Sequence, residues 1–125
     1  MVARVQNNGL ARITSLLAAA AWYLQWGTGS AADASANVVT TTTTTEARVE
    51  GTTSQETATV TNDKLRITGT ITAAGNRAIT EIGVFDAAGS GSPPTGGNMD
   101  IYAEFSVINL ANGDSIAFTI DTTFA

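Results

Sequence analysis

A chain of 125 residues is long enough for one hydrophobic core and short for two, and 43% hydrophobic against 14% charged residues describes a packed domain rather than a disordered one. A net charge of −5, with six Lys and Arg that form no cluster, excludes the basic surface that direct nucleic-acid binding needs. With no Cys and no His, disulfides, thiolate chemistry, Ser-His-Asp and Cys-His nucleophiles and His-containing zinc sites are excluded too.

Residues 1–8 show no strong period and read as an extended arm carrying Val2, Arg4 and Val5. The next segment, 9–21, is predicted to hold a helix over residues 10–21. Leu10, Ile13, Leu16, Leu17, Ala20 and Ala21 follow helical spacing, Ala fills between them, and Asn7 or Asn8 is available as the cap. A rival reading makes Arg4, Arg12 and the apolar run to Trp26 a secretory signal cleaved within 30–36. The alternation of Trp22, Leu24 and Trp26 with Tyr23 and Gln25 argues against it, because that is a half-buried strand the β core needs. The N-terminus is therefore expected to be retained. No stretch is both long and apolar enough to span a membrane.

Gly27-Thr28-Gly29 breaks the strand before a small polar loop at 30–37. A phosphate-binding glycine loop is set aside here, since it needs further glycines or a Lys and a helix directly after. The β-branched run from Val38 to Thr45 predicts an extended strand, with Thr41, Thr43, Thr45, Ala47 and Val49 on one face and Glu46, Arg48 and Glu50 in water. Gly51-Thr52-Thr53-Ser54 reads as a turn and 55–61 as a polar edge strand.

After Asn62-Asp63, Leu65, Ile67, Gly69, Ile71 and Ala73 alternate with polar residues. Ala74-Gly75-Asn76 has hairpin length and predicts antiparallel pairing with the next strand, 78–86. That strand sets Ala78, Thr80, Ile82 and Val84 against Ile79, Glu81, Gly83 and Phe85. Both of its faces need cover, so it is predicted to be central. Residues 87–98, rich in Gly around Pro93-Pro94, read as an exposed loop without internal hydrogen bonds. Met99, Ile101, Ala103, Phe105 and Val107 mark another strand, Asn112-Gly113 a tight turn, and Ile116, Phe118, Ile120, Thr122 and Phe124 the core face of a last strand. The whole predicts a single mainly β domain over 1–125: an antiparallel β-sandwich or jelly-roll-like barrel over 22–125, with one N-terminal helix and arm.

Carboxylates are the remaining catalytic candidates: Glu81, Asp86, Glu104, Asp114 and Asp121. Glu81 leads because burial raises a carboxylic acid's pKa. The plainer reading pairs it with Arg77 or Arg66 or bonds it to a loop, and spacing places no second carboxylate beside it. Asp86, Asp63 and Asp114 sit at strand ends, where Asp caps turns. No Asp-rich loop suggests calcium. Trp22 and Trp26 offer a sugar-stacking platform on one reading and core or subunit contact on the other.

Three segments in this order resemble a family of small tailed-bacteriophage virion structural proteins: the N-terminal helix running into Trp26-Gly27-Thr28-Gly29, the stretch from Ala78 to Asp86, and Asn112-Gly113-Asp114-Ser115-Ile116-Ala117-Phe118-Thr119-Ile120. The resemblance covers most of the chain, and the Thr run departs from it. It implies a non-enzymatic virion subunit without cofactor or metal, first of all a decoration or cement protein on the capsid surface that binds the major capsid protein or other virion subunits. A tail, neck or fibre component is the alternative within the class, and a secreted carbohydrate-binding module the alternative outside it. It also implies a homo-oligomer, a trimer by likeness, with Val2, Arg4, Val5, Arg12, Trp22 and Trp26 as contact residues.

Overall fold

The computed structural model describes residues 1–30, 33–41 and 43–125. Ala31 and Ala32 of the expected loop and Thr42 of the Thr run lie outside the described residues. In chain order the elements are α1 (Asn7–Ala18), β1 (Tyr23–Gly27), β2 (Val49–Glu50), β3 (Thr52–Glu56), β4 (Lys64–Thr72), β5 (Arg77–Phe85), β6 (Met99–Leu110) and β7 (Ser115–Thr123). They make a four-stranded antiparallel sheet ordered β2-β1-β5-β6 and a three-stranded one ordered β3-β4-β7. The molecule is mainly β, a sandwich and not a closed barrel. Its core is built from Trp22, Leu24, Trp26, Leu65, Ile67, Ile71, Ile79, Ile82, Val84, Phe118 and Ile120.

Both ends of α1 fall earlier than the spacing predicts. Asn7 and Asn8 lie inside the helix, and Gln6, extended and without a side-chain bond, is the N-cap. At the other end the Trp22 indole N–H donates to the Leu17 carbonyl at 2.7 Å, which takes an acceptor that a longer helix would use. Leu10 and Thr14 are buried as α1 packs on β3 and β4, where the Gln55 amide donates to Ala11 O and the Thr53 hydroxyl to Ala18 O.

β5 is central as expected, between β1 and β6. Ile82 and Val84 enter the core, and the chain itself covers the other face. The Arg48 guanidinium lies 3.6 Å from the Phe85 ring centroid, a cation–π contact. Gly83 admits Val39 and Met99, whose atoms a Cβ would meet at 2.9 and 2.7 Å. The segment after Val38 is therefore cover, not the extended strand its β-branched residues predict, and among the described residues strand begins again only at β2. Glu46 and Arg48, expected in water, turn inwards because β1 and β5 need capping. For the same reason β1 is buried on both faces, not half-buried: the Gln25 side chain accepts from Arg48 Nε at 2.8 Å and donates to Pro94 O.

β4 and β5 do not form the expected hairpin. β4 pairs with β3 and β7, so the chain changes sheet at Ala74-Gly75-Asn76. Glu46 builds that corner, accepting from Ala74 N–H and Arg77 Nε at 2.9 Å each and from the Trp26 indole at 3.1 Å. Beside it runs the β6–β7 crossing, where Gly113, at φ 91, donates to Ala73 O and Ala73 N–H donates to Asp114 O, both at 2.8 Å.

β3 lies at Thr52–Glu56 and not at 55–61, and it is a sheet edge as expected. Gly51 is a kink between the two sheets rather than part of a turn. A Cβ there would meet Ile67 and Leu24 at 2.5 and 2.8 Å. The turn falls at 57–63, where the buried Asp63 carboxylate accepts the backbone N–H groups of Ala58, Thr59 and Val60. The 87–98 loop does carry internal hydrogen bonds: Ser90 and Thr95 exchange backbone bonds at 3.0 Å around a cis Ser92–Pro93 peptide, and Asn98 N–H donates to Asp86 at 2.7 Å.

Candidate interaction surface

β6 ends one sheet and β7 ends the other, on the side away from β2 and β3. They run for 12 and 9 residues, and among the described residues no further strand pairs with their outer edges. Between them lies an open apolar groove of about 400 Å³ lined by Ile82, Phe105, Ile108, Ile116, Phe118 and Ile120. The β5–β6 pairing shifts register between Ile79 and Glu81 and again between Val84 and Phe85. The first sets two steps on β5 against four on β6, so β6 bulges between Glu104 and Ile108, where Val107 lies. Val107, expected to face the core, is consequently 54% exposed, with Ile108 exposed beside it. Phe124, also expected in the core, lies beyond the end of β7 and is exposed.

This side is acidic. Residues 99–125 contain Asp100, Glu104, Asp114 and Asp121 and no Lys or Arg, whereas residues 1–30 contain Arg4 and Arg12 and no Asp or Glu. Asp121 is held by Arg66 at 2.8 Å and Lys64 at 3.2 Å, and the Arg66 hydrogen bond comes first in lowering its pKa to about 2. Partial burial, and then the Asp86 charge, raise that of Asp100. Arg77 pairs with Glu46, and Arg48 is stacked on Phe85. Among the described residues Arg4 and Arg12 are in no ion pair.

The expected contact residues divide. Val2, Arg4, Val5 and Arg12 are exposed, Val2 at 99%, and the hollow at the arm's root is lined by residues 4–8 alone. Trp22 and Trp26 are 7% and 1% exposed, packed in the core with their indole N–H groups bonded, and present no ring to a sugar or a second subunit. Sequence reasoning missed Val107, Ile108 and Phe124 as surface. The adjacent pair Val107-Ile108 was the available signal, since two neighbouring apolar residues cannot share one face of a strand.

Glu81 is buried, and its partners are structural. Oε1 accepts the backbone N–H groups of Gly29 at 3.2 Å and Thr40 at 2.6 Å, and Oε2 accepts the Tyr102 hydroxyl at 2.8 Å. Neither Arg77 nor Arg66 reaches it. Glu104, opposite Glu81 in the sheet, lies 3.5 Å from the same hydroxyl, a second carboxylate that spacing did not reveal. Gly27 also stands opposite Glu81, and a Cβ there would collide with its Oε1 and come within 2.6 Å of Thr40 O. Trp26-Gly27-Thr28-Gly29 and the β5 stretch are thus two sides of one contact, a carboxylate latch that pins Gly29 and Thr40 to the sheet. Asp86 and Asp114 cap their loops, Asp114 by accepting Ala111 N–H at 2.8 Å. Among the described residues no group of His, Cys, Asp and Glu could hold a metal ion, and no helix is long and apolar enough to cross a membrane.

A family model described as podophage GP4 fiber I protein gp80 matches residues 4–123, which include the helix and both sheets. No curated protein and no solved structure matches the chain. A match of that extent identifies the chain as a member of the podophage GP4 fiber I protein gp80 family, a tailed-phage virion structural protein.

Proposed function

We propose that this chain is a fibre subunit of a tailed phage, which works by assembling with other virion proteins and catalyses no reaction. The observation that carries this reading is the fibre-family match over residues 4–123. It favours the tail or fibre alternative over the capsid decoration that the resemblance first implied. The surface supports it: the buried carboxylates are engaged in latches, while the open side offers two strand edges and an apolar groove, features suited to subunit packing. The subunit is a homo-oligomer, a trimer on the original resemblance, whose contacts include Val2, Arg4, Val5 and Arg12. Trp22 and Trp26 leave that contact set, and with them goes the sugar-stacking platform that motivated a carbohydrate-binding module.

Antibody labelling of purified particles, with copy number measured by mass spectrometry, tests the reading. A small, fixed number of copies on fibres is the expected result. An even spread over the capsid lattice would replace the fibre with decoration, and absence from particles would overturn both.

A further inference from the structure

The arm and the open side share an unusual property. Of the large apolar side chains exposed among the described residues, Met1, Val2 and Val5 lie in the arm and Val107, Ile108 and Phe124 on or beside β6 and β7, leaving only Leu16 and Val38 elsewhere. The two surfaces also differ in charge, the arm carrying Arg4 with no acid near it in sequence and the 99–125 region carrying four carboxylates, of which Asp121 is met by Lys64 and Arg66 of β4. Complementary potentials steer association and fix register. Residues 1–6 contain neither Pro nor Gly, so every one of them can take a strand conformation and every N–H after the first can join a ladder. The receiving edge is equally permissive. β7 pairs with β4 along its whole length without a register shift, and residues 99–125 lack the Lys and Pro that discourage edge pairing.

We propose that the arm of one copy, residues 1–6, lies as an added strand along the open side of a second copy, between β6 and β7, with Met1, Ala3 and Val5 turned into the apolar groove. In a strand these three share one face, and Val2, Arg4 and Gln6 share the other. Arg4 then meets the acidic rim while backbone pairing supplies the length of the contact, the mode of recognition by strand addition. Within one molecule α1 is anchored on β3 and β4, and residues 1–6 of the arm before it are all exposed. Exchange between copies therefore covers both surfaces at once. The proposal rests on the self-assembly part of the reading above and is independent of where in the virion the protein sits.

The absence of Cys makes a direct test available. Chains carrying Ala3→Cys and isotopically labelled chains carrying Ala103→Cys, both at exposed positions and the second in the groove lining, are mixed as otherwise full-length protein under mild oxidation, and mixed disulfides are counted by mass. A pair of Ala3→Cys with Ala88→Cys, in the distant loop, is the control, and thermal melts confirm that each variant is folded. The expected yield is roughly tenfold above the control, an affinity difference of about 1.4 kcal/mol. Adding Arg4→Glu to the Ala3→Cys chain, or raising the salt, should lower it severalfold. A yield no higher than the control overturns the proposal. So does an Ala3→Cys/Ala103→Cys double variant that closes an internal disulfide as a monomer. Either failure leaves the fibre assignment standing, and a failure to find the protein on fibres leaves this result untouched.

Discussion

Where β2 runs into β3, the single residue Gly51 carries the chain from one sheet to the other and α1 packs on β3 and β4; where β6 and β7 end the sheets, two edge strands flank an apolar groove. Both sides draw on the same kinds of residue, Ile, Val, Leu and Thr. What separates them is strand length and cover: β2 and β3 run for 2 and 5 residues with α1 packed on β3, whereas β6 and β7 run for 12 and 9 residues, joined by the corner at 111–114 beside Ala73 and touching through the Phe105 and Phe118 rings. Apolar residues on the closed side stabilise the subunit. Those on the open side contribute little until something covers them, so stability and assembly are assigned to opposite edges of one core.

Substitutions should separate the two edges, beginning with the largest effect. Trp26→Ala empties a core position and takes a partner from Glu46, and is expected to lower unfolding free energy by about 4 kcal/mol in urea titrations. Glu46→Ala takes the carboxylate from the half-buried Arg77 and frees the Ala74 corner, at about 3 kcal/mol in the same measurement. Burial raises the Glu46 pKa, but hydrogen bonds from Ala74, its own N–H, Trp26 and Arg77 outweigh that and hold it below the usual value, so this contribution also fades in acid. Gly51→Ala forces Ile67 and Leu24 apart and should cost about 2 kcal/mol. Ile108→Ser on the open side is expected to change subunit stability by less than about 0.5 kcal/mol while weakening self-association in sedimentation experiments. If Ile108→Ser destabilised the dilute subunit as much as Gly51→Ala, the two sides would not differ as described.

The smallest expected effect is the acid response of the open edge. The Asp121 carboxyl is lowered in the fold to about 2 by Arg66 and Lys64, so it favours the folded state in full above the unfolded carboxylate range. As pH falls from about 4 to 2 the unfolded chain takes up the proton first, and that stability is lost. Solvent screening at this site keeps the loss under about 1 kcal/mol. Asp121→Asn should flatten this part of the stability–pH curve, while the fall due to Glu46, Asp63 and Asp86, each also lowered, remains.

The period-two alternation of β4 and β7 was legible because it reports a buried face directly, and β5 because apolar residues on both faces mark a central strand. Pairing was not, since alternation marks a strand without naming its neighbour. Ala74-Gly75-Asn76 has the length of a hairpin, yet the contact that sets its course is to Glu46, 28 residues earlier. The Thr run failed for a related reason. Its residues favour extension, but Phe85 and Glu81 needed a lid more than the sheet needed another strand. Of the interaction surface, the arm was readable as an unpatterned segment, whereas the open side depends on register shifts in β6 that only the β5 pairing reveals.

The Glu81 latch also bears on the order in which the protein is made. Gly29 and Thr40, which its carboxylate accepts, precede it by 52 and 41 residues, and β1 finds its main partner only in β5. A ribosome therefore releases Trp22, Leu24 and Trp26 long before the strand that shelters them exists. Such a chain has few local contacts to reward early folding, and exposed apolar strands are prone to aggregation. The nascent subunit passes its most vulnerable interval between the emergence of β1 and that of β5, and a truncated product ending before Arg77 has no native partner for its first strand beyond the two residues of β2.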